Sequence, residues 1–113
     1  MGWCAVCELG LRLGPQSVTL DAAHIRWHAA GGPDEVMNGL CLCALHHKLF
    51  DLGAFTVAAG SGLVRVSDRV NGDGADRVLL AHAGQPVGRL RRADWHPADG
   101  FLGWHAAEVF HRG

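Results

Sequence analysis

Two short pairs constrain this chain more than anything else in it: Cys4-Ala-Val-Cys7 and Cys43-Ala-Leu-His46. A Cys-x-x-Cys turn aims two sulfurs at one point. Structural zinc sites take four soft ligands from two such turns, in tetrahedral geometry. The spacing therefore predicts a Cys3His zinc site of Cys4, Cys7, Cys43 and His46, which would pin the N-terminal turn to the start of a helix. A small domain gains from such a staple, because its core alone buries limited surface. Other readings of the same residues stand beside it. Cys41 is an alternative to Cys43, although its neighbours Leu40 and Leu42 argue for a buried apolar position, where a free Cys packs as a small hydrophobe. Four reduced thiols without a metal also satisfy the sequence. A thioredoxin-like redox pair would need a βαβ context, and none surrounds Cys4 and Cys7.

At 113 residues the chain has the length of one compact domain, expected to span 1–113. A formal net charge of −1 excludes a strongly basic nucleic-acid coat protein. One lysine stands against nine arginines, and with 16 glycines this reads as codon pressure in a GC-rich bacterial genome. No apolar run approaches the ~20 residues of a membrane span. The opening "MGWCAVCELG" lacks the charged start and apolar stretch of a signal peptide. A bacterial cytoplasmic protein with no membrane partner is expected, and in that compartment cysteines favour metal over disulfides.

Residues 17–25 read as a strand, 28–35 as a loop by their glycines and proline, and 34–40 as one helical turn. "CALHHKLFDLG" (43–53) reads as a helix, with Leu45, Leu49 and Leu52 at helical spacing and Gly53 as its stop. Residues 54–59 and 62–70 read as a hairpin, 71–76 as a turn, and 77–90 as strand, turn, strand. A terminal amphipathic helix is expected over 99–111, with Trp104 and His105 packing inward. His82, His96 and His111 suggest no role.

The helix "LHHKLFDLG" holds two adjacent histidines, which point about 100° apart at 3.6 residues per turn. If His46 serves the zinc, His47 faces elsewhere. Asp51 lies four residues on, on the same face as His47, and an imidazole with a carboxylate suits Mg²⁺, Mn²⁺ or a related ion. Asp51 read as a hydrogen-bonding residue near the helix end is the plain alternative. Upstream, His24 closes the first strand and Asn38 lies between strand and helix.

His24…Asn38…His47 resembles the motif of the HNH, or ββα-metal, endonucleases. The stretch "DAAHIRWHAAGGPDEVMNGLCLCALHHKLFDLG" is similar to the branch that includes McrA-like and other modification-dependent restriction endonucleases, and the tail "FLGWHAAEVF" resembles that branch's C-terminal helix. The resemblance implies an α+β fold: a ββα-metal core at about 17–53 with a structural zinc knuckle, then additional β-hairpins and a C-terminal helix over 54–113. It implies hydrolysis of DNA phosphodiesters, as in restriction of foreign or modified DNA. It makes His24 the general base, Asn38 the residue that steadies the loop orienting that base, and His47 a ligand of a catalytic Mg²⁺, Mn²⁺, Co²⁺ or Ni²⁺. It also makes Cys4, Cys7, Cys43 and His46 the structural Zn²⁺ ligands, with His46 where Cys is more usual. One departure stands out. Many members carry a second metal ligand immediately before the base, and this chain has Ala23 there. Asp51 or Asp21 could compensate, or one side chain with water and phosphate could suffice.

Arg26 and Lys48 flank the motif and could touch phosphate, as could Arg91 and Arg92 in "GRLRR" (88–92). Arg26 and Lys48 read equally as solvated surface charge, and a short arginine run such as 88–92 is more often simply exposed. His28 reads as a surface-loop residue. DNA is the expected partner. A near-zero net charge predicts weak affinity for it in isolation, so a separate recognition domain or subunit is expected to assist. A homodimer would allow double-strand cuts. The rivals are a non-catalytic zinc-finger module, which would need no His24, Asn38 or His47, and an inactive HNH relic, for which Ala23 is the best sign.

Overall fold

The computed structural model of the chain describes residues 2–88 and 97–112. A tight hairpin comes first, β1 (Arg12–Leu13) with β2 (Gln16–Ser17). The central unit follows. β3 (Leu20–His24) pairs antiparallel with β4 (Gly39–Cys43), placing Asp21 opposite Leu42 and His24 opposite Gly39, and α1 (Ala44–Asp51) begins where β4 ends. This is the expected ββα unit inside a mixed α and β fold.

The strand predicted over 17–25 is broken at Thr19, whose φ of 71° is rare for a β-branched residue. The kink turns the Thr19 carbonyl onto the Ala44 amide at 2.7 Å, satisfying one of the N–H groups that open α1. Along β4 the period of two sends Leu40 and Leu42 into the core and turns Cys41 to the other face. Cys41 is therefore half-buried, not the core residue expected from its neighbours. Its carbonyl accepts from the Ala5 amide at 2.7 Å, tying the N-terminal turn to the sheet.

The buried face of α1 differs from the leucine stripe. Leu45 and Leu52 are exposed, while His46 and Phe50, four apart, are buried. The helix is rotated so that His46 faces the cysteines. Phe50 packs on Phe55 with ring centres 5.3 Å apart and stacks on His105 at 3.7 Å. The expected second hairpin is present in shorter form, β5 (Phe55–Val57) with β6 (Val64–Val66).

Residues 77–88 do not form the strand, turn, strand pattern expected over 77–90. The chain makes α2 (Ala75–Val78) and a 3-10 turn (Leu80–His82), then a loop joined to Leu63 by one bridge at Pro86. Residues 89 and 90 lie outside the described ones. Adjacent Val78 and Leu79 lack the alternation of a half-buried strand, and Pro86 has no amide to donate to a ladder. Leu79 enters the core, and the Val78 carbonyl serves His46.

The terminal helix is α3 (Asp99–Glu108), three residues shorter than expected, with Leu102 and His105 buried. It ends against the stop of α1. Gly53 has φ 78°, and a Cβ there would lie 2.1 Å from the Val109 carbonyl oxygen, so no larger residue fits. The His111 amide then donates to the Gly53 carbonyl at 3.0 Å. No described helix is long and apolar enough to cross a membrane.

His105 packs as expected, but as a buried polar group it also needs partners. Its Nε2–H donates to the Phe50 carbonyl at 2.9 Å, which fixes the tautomer, and its Nδ1 accepts from the Thr56 hydroxyl at 2.7 Å. Burial pushes its pKa down from 6.5 to about 4, against the Phe50 bond. Between those values the unfolded chain binds a proton that the folded one refuses. This contribution to stability is intact above pH 6.5 and is lost as pH falls toward 4, by about 3 kcal/mol in all. The stability advantage of wild type over His105→Phe should therefore shrink across that window in melting scans. A constant difference would contradict the account.

Candidate active site

The Cys-x-x-Cys turn of the N-terminus, the end of β4 and the first turn of α1 converge on one point. The donor atoms of Cys4, Cys7, Cys43 and His46 all lie within 4.8 Å of one another. Cys43 Sγ and His46 Nδ1 are 3.2 Å apart, while Cys4 Sγ to His46 Nδ1 and Cys7 Sγ to Cys43 Sγ are each 3.9 Å. A tetrahedral ion with bonds of about 2.3 Å to sulfur has edges of roughly 3.5–3.8 Å. The cluster therefore has the donors and dimensions for one metal ion. His46 Nε2 lies 2.7 Å from the Val78 carbonyl, which can only accept. Nε2 therefore carries the proton and Nδ1 is left for the ion, with its orientation set from outside the cluster.

As bare side chains the four groups oppose one another. Burial, reinforced by the Cys4 and Cys43 sulfurs, pushes the Cys7 thiol up to about 12. Burial also raises Cys4, but hydrogen bonds from His46 and nearby backbone amides outweigh it and hold that thiol at about 6. Burial would lower His46, yet its contacts with Cys4, Val78 and Cys43 raise it to about 9. A cation resolves the conflict, since it favours every thiolate and the neutral imidazole together. His82, assigned no role from sequence, sets its ring edge-on to His46 at 6.0 Å.

His47 points to the other side of the helix, into a half-exposed acidic pair. Its Nδ1 lies 2.9 Å from Asp21 Oδ2 and its Nε2 3.3 Å from Asp51 Oδ2. Asp21 thus approaches more closely than Asp51, although it is the more distant in sequence. Ala23, immediately before His24, is buried, and Asp21, two residues earlier on the same face of β3, is the carboxylate nearest His47. Burial raises the Asp51 carboxyl above its usual range, opposed by His47 and Lys48.

His24 sits half-exposed at the end of β3, with its Nε2 2.5 Å from Asp34 Oδ1. Asn38 lies behind it and is buried. Its Oδ1 accepts from the Arg26 amide at 2.8 Å, and its Nδ2 donates to the carbonyls of Arg26 and Pro33, each at 3.0 Å. One side chain thus joins the strand just beyond His24 to the loop carrying Asp34. Sequence reading missed Asp34: an acid in a Gly-Pro loop carries no signal until that loop is folded back. His28 stands 6.2 Å from His24, ring to ring.

The basic candidates are placed differently. Arg26 is half-buried, with Nε donating to the Ala30 carbonyl at 2.9 Å and its guanidinium 5.9 Å from the Trp104 ring centre. Lys48 is exposed beside His47. Arg91, Arg92 and His96 lie outside the described residues.

An antiparallel pair, a helix packed on it, a histidine at the strand end, a histidine on the helix and a thiol cluster at their junction define a ββα-type nuclease domain. The sequence profile of the HNH endonucleases matches residues 4–58, just under half of the chain, and supports an HNH endonuclease family for this segment. Among solved structures, one titled modification-dependent TagI restriction endonuclease has the same fold, with a TM-score of 0.69 at 24% identity over 96% of this chain. This chain covers 33% of that one, so it spans about a third of the larger enzyme's length. No curated protein sequence matches significantly.

Proposed function

We propose that the chain is a catalytic domain of 113 residues that hydrolyses DNA phosphodiester bonds, in restriction of foreign or modified DNA. The observation that carries this is the separation of the two adjacent histidines. His46 enters a Cys3His cluster, and His47 enters a carboxylate pair on a different face of α1. A zinc-finger module needs only the first.

On this reading Zn²⁺ occupies the Cys4, Cys7, Cys43 and His46 cluster. His47 Nε2 and Asp51 hold a catalytic divalent ion, with Mg²⁺, Mn²⁺, Co²⁺ and Ni²⁺ as candidates. Asp21 takes the Nδ1–H of His47 and fixes the ring. When bound, such an ion offsets charge on the scissile phosphate and on the departing oxygen. His24 closes β3 three residues beyond Asp21, about 10 Å by strand rise, and would meet a water held at the scissile phosphate. His24 takes the proton from that water. Asn38 holds the backbone that carries the base, and Lys48, exposed beside His47, and Arg26, two residues beyond His24, would contact phosphate. Target choice belongs to a separate recognition domain or subunit, and two copies would cut both strands. The bacterial cytoplasm is the setting, since the site needs reduced thiols.

Supercoiled plasmid tests the proposal. Modified and unmodified DNA should be converted to open-circular or linear forms with at least one of the four candidate ions, and neither with chelator. Zinc-loaded protein that binds these ions and DNA yet leaves both plasmids intact would make it a non-catalytic module.

A further inference from the structure

The pair at the end of β3 is built rather than incidental. Asn38, 1% exposed, clamps the Pro33 carbonyl beside Asp34 and both backbone groups of Arg26, two residues beyond His24. Gly32 closes the same loop onto the strand. Its amide donates to the Trp27 carbonyl at 2.9 Å, and a Cβ on it would lie 1.8 Å from the Arg26 carbonyl oxygen. Arg26 in turn grips the Ala30 carbonyl from below. Two backbone segments and a buried amide thus set the position from which Asp34 reaches His24.

At 2.5 Å, Nε2 and Oδ1 are in direct hydrogen-bond contact, and the acceptor is a carboxylate. A carboxylate only accepts, so Nε2 carries the proton. The Asp34 carboxyl is held below the usual carboxylate range by this bond and by the charge of His24, with His28 adding to it. Among the described residues, Nδ1 of His24 has no hydrogen-bond partner. The ring therefore has one nitrogen engaged by an acid and one bare.

We propose that Asp34 is a positioning residue of the hydrolytic site: its carboxylate holds the Nε2–H tautomer of His24 and so presents Nδ1 to the attacking water. This rests on the reading of His24 as the base. In the step itself a water O–H bond breaks and its proton goes to Nδ1. The hydroxide oxygen forms a bond to phosphorus, the bond from phosphorus to the leaving oxygen breaks, and that oxygen takes a proton from solvent. The ring becomes an imidazolium, and the Asp34 carboxylate is already placed to stabilise it, as in other carboxylate–imidazole dyads.

Substitution at Asp34 should leave folding unchanged, because its side chain is 77% exposed. Asp34→Asn can offer an N–H to Nε2 and invert the tautomer. A buried dyad loses about 10⁴-fold on such a change, and this exposed one should lose roughly 10- to 100-fold. The discriminating readout is ¹⁵N correlation spectroscopy of the His24 ring in zinc-loaded protein without DNA or catalytic ion. Wild type should show the Nε2–H tautomer and Asp34→Asn a mixed or Nδ1–H ring. Asp34→Glu should restore both tautomer and nicking in part, which a merely structural role would not require. Nicking wild type with an Nδ1–H ring, or faster nicking by Asp34→Ala, would overturn the role of Asp34 alone. Wild type with the Nε2–H ring that never nicks would overturn the nuclease reading, and the role with it.

Discussion

Cys43→Ser is expected to lose the cluster's metal and most of the cooperative fold. The choice of serine isolates the cause. Cys43 is also the N-cap of α1, its sulfur accepting from the His46 amide at 3.5 Å. Serine is a good cap, so the helix start survives the exchange. What is lost is a thiolate ligand. A structural zinc site contributes about 10–16 kcal/mol in finger-sized folds, against a total stability of about 5–15 kcal/mol for a whole domain. The cluster joins the N-terminal turn, β4 and α1, and reaches α2 through the bond from His46 to Val78. Losing it frees four segments at once. Metal analysis should find less than one ion per chain, and circular dichroism should show a broad or absent transition. A variant that melts like wild type without metal would assign stability to the apolar core instead.

His24→Ala should behave in the opposite manner. Its stability should remain within about 1 kcal/mol of wild type, because the ring is half-exposed and its hydrogen-bond partner is the exposed Asp34. Its nicking rate should fall by about 10²–10⁴-fold, the usual worth of a positioned general base. Zinc content should not change. The contrast between a folded, zinc-loaded, inactive His24→Ala and an unfolded Cys43→Ser separates chemistry from scaffold. Equal nicking by His24→Ala and wild type would remove His24 from the chemistry.

Legibility from sequence followed the range of the interactions involved. The Cys3His cluster rests on two local spacings, so its four members could be named before any fold was known. The helix over 43–53 and its stop at Gly53 rest on local periodicity and on one backbone conformation. The burial of α1 was read less well, because the leucine stripe gave way to His46, which the cluster turns inward. The strands expected from residue 77 onward gave way within 77–88 for a similar reason. Val78 and Leu79 take their conformation from His46 and the core, and neither partner is near in sequence. The approach of Asp21 to His47 spans 26 positions and depends on how β3 packs on α1. Asp34 needed the loop closed by Asn38 and Gly32. In each case the contact joins elements that local pattern cannot relate.

The central claim is that His46 and His47 serve two different sites, and His47→Ala tests it most directly, with bound zinc and plasmid nicking measured on the same preparation. The account predicts one tightly held zinc per chain, a melting transition close to that of wild type, and no nicking with any of the four ions. Nicking at the wild-type rate by zinc-loaded His47→Ala would contradict it.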